Sequence, residues 1–418
     1  MRINQSEINI LRELGEKYME YASLPMQREK LRMWKALNRS AMERPMVVID
    51  QAPWNELEAA DPDALKCKIA DPYWSGVERT LRKALYQWGN FPADMVPEPF
   101  ITVPAAISGF GYGVEPDDDI LIKMEGEVAS SHHYNNILKG FEDISKIKDI
   151  SFTYDKEQNT LNLQEAGHIF NGIAPVVLSH GTQIHLGVWD FLSMLMSVED
   201  VYFDLIDRPD FLHAVMRRIT DATLAGIKSA NELNIYDDTA KTCHCSYTYT
   251  DELLPDFGAG KGATSKNGWA FGMAQLFTSV SRDVFAEYEV PYMSEMAEQL
   301  GMIYYGCCER LDDRLDLVQR IPNVRKVSCS PWSDRKAFAE KLDKSLIMSN
   351  KPTPAYLAGS SFDEDAVRKD IIETCEAAKN GGVNVELILK DISTVNNDPS
   401  RLTRWNDVAM ETVEKYSF

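Results

Sequence analysis

From Arg44 onward, short apolar runs alternate with amphipathic helical stretches, and that alternation does most to limit what this chain can become. Such a pattern implies parallel strands joined by crossover helices. The runs are Met46–Asp50, Phe100–Pro104, Pro175–Ser179, Asp238–Cys243, Trp269–Gln275, Met302–Cys308, Val324–Ser328, Leu346–Ser349 and Val385–Leu389. Helices are expected at Arg282–Leu300, Asp312–Arg320, Asp334–Leu342 and Asp363–Asn380, with Asn380-Gly381-Gly382 closing the last in a left-handed cap. The expected fold is α/β: one closed (β/α)8 TIM barrel at 44–418, preceded by an N-terminal helical arm at 1–43 that breaks near Ser23-Leu24-Pro25. Nine runs for eight places leave one outside the barrel, either the Phe100 run or the Asp238 run. The stretch Ser151–Gln164 is expected as a surface hairpin.

Composition narrows the function classes. With 418 residues and 44% hydrophobic content, the chain can bury a large core. A formal net charge of −20 offers no basic footprint for nucleic acid. No apolar run is long enough for a membrane span, and the N-terminal residues have no apolar signal-peptide core, so a cytoplasmic location is expected. The seven cysteines, Cys67, Cys243, Cys245, Cys307, Cys308, Cys329 and Cys375, are odd in number, which favours buried thiols or metal ligands over a disulfide framework. No GxGxxG, P-loop or GxSxG motif is present.

In such barrels chemistry sits at the carboxyl ends of the strands. The strand ends therefore nominate Cys243-His244-Cys245, Gly306-Cys307-Cys308-Glu309, Ser328-Cys329-Ser330, Ser349-Asn350-Lys351 and Lys390-Asp391. Thiolates bind zinc well, and a catalytic zinc keeps three protein ligands and one open place. Adjacent cysteines on one strand point to opposite faces, so Cys307 and Cys308 can share a metal only where the chain turns. Glu287, on the helix feeding that strand, and Cys329, on the next strand, are the further candidate ligands, and buried thiols are the competing reading. His244 and His180 are placed to line a pocket. His132-His133 suits a surface loop, and His168 and His185 carry no assignment. Lys351 and Asp391 either serve the pocket or pair with each other. Trp54, Trp269 and Trp332 are candidates to grip an aromatic ring, or are core.

The stretches Phe285-Ala286-Glu287-Tyr288-Glu289-Val290-Pro291-Tyr292 and Tyr305-Gly306-Cys307-Cys308-Glu309 resemble the uroporphyrinogen-decarboxylase-like superfamily. So do Trp189-Asp190, Asp207-Arg208-Pro209, Pro331-Trp332-Ser333-Asp334 and Leu389-Lys390-Asp391-Ile392. The resemblance spans roughly residues 40 to 415. True decarboxylases of that superfamily carry Arg-Gln-Ala-Gly-Arg after the first strand, and here the place reads Ile49-Asp50-Gln51-Ala52-Pro53-Trp54. The group most similar to this chain is the corrinoid-dependent O-demethylase methyltransferases of anaerobic metabolism. The resemblance implies a zinc-dependent methyltransferase that moves a methyl group from a small donor, a methoxylated aromatic, to a corrinoid protein partner. It implies Glu287 and Cys308 as catalytic metal ligands, to which the strand ends add Cys307 and Cys329 as ligands, with Trp54, His180, His244, Lys351 and Asp391 as candidates to bind the substrate. The alternatives are a tetrapyrrole decarboxylase and a non-catalytic corrinoid- or tetrapyrrole-binding barrel. A homodimer is the default assembly.

Overall fold

A computed structural model describes residues 2–123, 130–183, 185–236, 241–253 and 263–417. Nine strands run in parallel pairs. They are β1 (Met46–Ile49), β2 (Ile101–Pro104), β3 (Val176–Ser179), β4 (His185–Leu186), β5 (Trp269–Gly272), β6 (Met302–Tyr305), β7 (Val324–Cys329), β8 (Ile347–Asn350) and β9 (Asn384–Leu389). Seven form one sheet in the order β1-β9-β8-β7-β6-β5-β4, and β2 pairs with β3 in a sheet of its own. The α/β class and the parallel sheet therefore agree with the alternation in the sequence. Closure of the barrel by hydrogen bonds is not seen among the described residues.

The interruption at β1 has a visible cause. An antiparallel hairpin, Thr242–Cys243 with Ser246–Tyr247, lies between β1 and β2. One cavity beside it is lined by Val48 and Ile49 of β1 and by Asp50 just beyond it, and another by Ile101 and Thr102 of β2. The Phe100 run, the Pro175 run and the described part of the Asp238 run thus all lie outside the main sheet, where one run, Phe100 or Asp238, was expected outside the barrel. Residues 237–240 fall outside the described residues. Within the main sheet, the strand that the apolar pattern failed to show is β4, two residues long, which pairs His185 with Phe271.

Register and alternation set the interior. On β9, Glu386, Ile388 and Lys390 recur every second residue, and Ser349 and Lys351 do the same on β8. Val47, Ile49, Leu387 and Leu389 face the other way and pack beneath the C-terminal helix Ser400–Val413 with Leu402, Trp405 and Ala409.

Helix α1 (Gln5–Ala22) begins with a capping box between Asn4 and Glu7. Helix α2 (Pro25–Asn38) starts on Pro25, with the break where the proline predicts it. Helix α2 buries Trp34 completely, with its indole N–H donated to the Asp94 carbonyl at 2.9 Å. Asn38 donates to the carbonyls of Tyr247 and Tyr249, which ties α2 to the seam hairpin.

Three local expectations are corrected. Ser151–Gln164 is no hairpin: Asp155 caps a helix, Lys156–Ile169. The Asp155 side chain accepts from Gln158 N at 2.9 Å, a cap that outweighs the turn-like polar run. His132 and His133 lie not in a loop but on the strand Ser130–Asn135, paired antiparallel with Asp117–Lys123. The helix expected at Arg282–Leu300 breaks at Glu289, giving Arg282–Tyr288 and Val290–Ala297, because Pro291 starts a new first turn. At the other end, Gly382 (φ 64°) closes the helix Glu364–Gly381 in the expected left-handed cap. No helix among the described residues is long and apolar enough to cross a membrane.

Candidate active site

The strand ends converge on an open cavity of about 410 Å3, lined by Gln51, Gln183, His185, His244, Phe271, Met273, Cys307, Lys390 and Asp391. The turn after β6 builds its thiol side. Gly306 takes φ 93°, and a Cβ there would come within 2.6 Å of Leu311 Cδ1, so glycine is required. The Glu309 carboxylate accepts from Cys307 N at 2.7 Å and from Ala274 N at 3.4 Å, folding the turn back on itself. The turn brings two thiols that a straight strand would separate to 3.5 Å.

Each thiol has a charged neighbour from the end of β9. Lys390 Nζ donates to Cys307 Sγ at 3.3 Å and pairs with Asp391 at 2.9 Å. Cys308 Sγ donates to Asp391 Oδ2 at 3.5 Å. The Cys308 thiol, with the Lys390 ammonium next to it, holds the Cys307 thiol below the ordinary thiol range despite its burial. Cys308 moves up in turn, pushed by its hydrogen bond to Cys307 and by burial. Burial works against the charge of Lys390, but Cys307 and Asp391 more than offset it, and its pKa rises.

The opposite wall is aromatic. His244 stacks on Phe271 with ring centroids 3.7 Å apart and planes 4° apart. His185 meets the same ring edge-on at 4.8 Å. Burial, then the Lys351 and Lys390 charges, push His244 far below the usual imidazole range, so it is neutral, and its Nε2 is buried without a partner. Burial also lowers His185. Backbone strain gathers here: Gln51, His244, Cys245 and Asp391 all have φ between 46° and 67° without being glycine. Gln51 and Asp391 are joined across the rim by Asp391 N donating to Gln51 Oε1 at 3.3 Å.

The nominated residues divide. Cys307, His244 and Asp391 line the cavity, and Cys308 stands exposed beside Asp391. Lys351 lies beneath, 3% exposed, donating to Tyr304 OH and to Ser349 Oγ at 3.1 Å. It does not pair with Asp391, whose partner is Lys390. Burial lowers Lys351 to about 8.

Glu287 is not brought to the thiols: it stands on the outer face of the helix Arg282–Tyr288, with a side chain 59% exposed and a 3.4 Å contact to His213. The carboxylate that points inward is Glu289, fully buried, which accepts from Tyr305 OH at 2.9 Å and is raised by burial. Cys329 is fully buried, and burial raises it to about 12. Trp54 packs with Tyr86 and Phe91 in the outer core, and His180 sits against Tyr154. Trp269 is buried in β5, whereas Trp332 is 75% exposed in the loop after β7.

The expected zinc ligands do not fit a metal as placed. Glu287 and Cys329 are elsewhere, and the Lys390 ammonium already bridges Cys307 and Asp391. Among the described residues no three His, Cys, Asp or Glu side chains form a metal-holding group. Phe271, Met273, Gln51, Gln183 and His185 are the lining residues to which sequence reading assigned no role, and Lys390, nominated with Asp391 at its strand end, had none of its own. The alternation Glu386-Ile388-Lys390 was the available signal for Lys390. Nothing local marked the others.

No family model matches the chain, and no curated protein matches it. Among solved structures, a methyltransferase from Methanosarcina mazei aligns over 89% of this chain and 96% of its own, at 14% identity and a TM-score of 0.45.

Proposed function

We propose that this chain is a methyltransferase that moves a methyl group from a small methylated donor, a methoxylated aromatic, to a corrinoid carried by a partner protein. The observation that carries the reading is the lysine at the cavity wall, Lys390, facing the His244–Phe271 stack across an open mouth. An aryl methyl ether resists transfer because negative charge develops on its oxygen. A fixed cation in a partly desolvated site stabilises that charge where it forms. Lys390 is held in place by Cys307 and Asp391 and stays protonated, so it can supply the charge and a hydrogen bond to the departing oxygen. Phe271 and Met273 give the donor's ring an apolar surface.

The mouth also suits a cofactor brought from outside, since Cys308 is exposed and the Asp391 side chain is 49% exposed. The reduced corrinoid, when docked, supplies the nucleophile. The protein's own part is to bind the donor, orient its methyl group toward the opening and stabilise the leaving oxygen. The octa-acid decarboxylase reading is less favoured, because among the described lining residues Lys390 is the cation available to answer many carboxylates.

The test is release of the free phenol from a methoxylated benzoate by the purified chain with reduced cobalamin. Wild type should release it, and Lys390→Met should do so at least about a hundredfold more slowly, the usual scale for losing one charge-stabilising donor. Equal rates would remove Lys390 from the reaction. Absence of release with wild type across methoxylated benzoates would remove the donor class.

A further inference from the structure

Two side chains of the mouth have their hydrogen-bonding directions fixed by the backbone around them. His185 Nδ1 accepts from Gly187 N at 3.1 Å. A backbone N–H can only donate, so Nδ1 carries no proton and the hydrogen of the neutral ring sits on Nε2. Gly187 allows this fold-back, because a Cβ there would come within 2.5 Å of His185 Cε1 and 3.0 Å of Met273 Cε. Gly187 also caps the helix Val188–Met196, whose positive end opposes a second proton on the ring. Gln183 is fixed in the opposite sense. Its Nε2 donates to the Trp269 carbonyl at 3.0 Å, so its Oε1 is the amide atom left over. Both residues line the open cavity, and among the described residues neither His185 Nε2 nor Gln183 Oε1 has a partner.

The β4 end of the cavity thus presents one free donor and one free acceptor. The charged lining residues, Lys390 and Asp391, both follow β9. Four strands, β8 to β5, lie between β9 and β4 in the sheet, so the two ends of the cavity oppose each other. Phe271 and Met273 supply the apolar surface beside the pair. An ether or carboxylate oxygen would accept from His185 and leave Gln183 unanswered. An ammonium would donate to Gln183 and meet the His185 N–H head-on. A hydroxyl does both, accepting from Nε2 and donating to Oε1. On the methyl-transfer reading, on which this rests, we infer that His185 and Gln183 together hold a free hydroxyl group of the donor, on a ring carbon meta or para to the methoxyl that faces Lys390. An ortho hydroxyl would lie beside the methoxyl, at the wrong end of the cavity.

Calorimetric titration of the full chain without cobalamin decides this. The probes are 3-methoxyphenol and 4-methoxyphenol, their counterparts 1,3- and 1,4-dimethoxybenzene, whose second oxygen can no longer donate, and 2-methoxyphenol, whose hydroxyl is ortho. At least one of the first two should bind about tenfold or more tightly than its dimethoxybenzene and than 2-methoxyphenol, the scale of two net hydrogen bonds. His185→Phe, which keeps a ring beside Phe271, should bring the ratio of methoxyphenol to dimethoxybenzene down to about one. No saturable binding of either methoxyphenol, or equal binding of the dimethoxybenzenes, overturns the hydroxyl site. Tightest binding of 2-methoxyphenol overturns the orientation. A ratio that persists in His185→Phe overturns the location. The wild-type comparison stands by itself if that variant fails to fold. Phenol release with reduced cobalamin is a separate readout. A tenfold preference without release removes methyl transfer and leaves the hydroxyl site, and release without preference does the reverse.

Discussion

Lys326 and Glu386, within the sheet, pair at 2.8 Å with both side chains wholly enclosed, while Lys390, at its carboxyl end, pairs with an Asp391 that is half exposed. The enclosed pair is closed off further by Ser246, which takes a hydrogen bond from Lys326 at 2.6 Å and gives one to Glu386 at 2.8 Å. Trp34 from α2 and Trp269 from β5 lie within 6 Å of the same ammonium. Glu386 and Lys390 stand on the same face of the same strand, four residues apart, and meet opposite fates. The seam hairpin closes over Glu386 through Ser246, whereas Lys390, though 4% exposed, lines the open cavity beside a half-exposed Asp391. A buried charge enclosed with its counter-charge is a structural element. One that faces an opening is available for chemistry.

The contrast breaks most visibly at the enclosed pair. Glu386→Ala should cost about 3–5 kcal/mol of stability, measured by urea denaturation, because it strands Lys326 without a counter-charge. The double change Lys326→Met, Glu386→Leu should recover most of that loss. If the single change costs under about 1 kcal/mol, the pair is not the structural element described.

At the open end, Lys390→Met should hardly alter stability but should slow alkylation of Cys307 by iodoacetamide about tenfold near neutral pH, read by mass spectrometry. That follows from Lys390 helping to hold the Cys307 thiol below its ordinary range. An unchanged alkylation rate would mean that the ammonium does not govern the thiol.

His244 sharpens the comparison through pH. Its folded pKa lies far below the unfolded value of about 6.5, so below that pH the unfolded chain takes up a proton that the folded chain refuses. Its contribution is fully present above about pH 6.5 and is lost as pH falls, by about 1 kcal/mol at pH 5.5. His185 is lowered too and has the same sign. His244→Phe, which keeps a ring on Phe271, should therefore flatten the stability slope between about pH 6.5 and 5.5 by roughly half. A slope equal to that of wild type would show that His244 takes up its proton in the folded state. The smallest effect is expected at Trp332, 75% exposed beyond β7: Trp332→Ala should change thermal stability by less than about 0.5 kcal/mol. A larger loss would mean that the loop packs more firmly than its exposure implies.

The sequence by itself determined the α/β class, the five central strands from Trp269 to Leu389, the break at Pro25 and the cap at Gly382. In each case the signal is local: a period of two, a fixed proline φ, a left-handed glycine. It also placed Cys307, Cys308, His244 and Asp391 at strand ends. Only the tertiary structure decided what they meet. Gly306 turns two adjacent thiols onto one site, and β9 delivers Lys390 to the place where a metal was expected. Glu287 falls on the solvent face of its helix, away from the thiols. The hairpin Thr242–Tyr247 separates β1 from β2, contacts that no single segment encodes. Pairing between distant segments depends on which surfaces are left to cover once each local element has formed, and that is settled by packing rather than by any run of residues read alone.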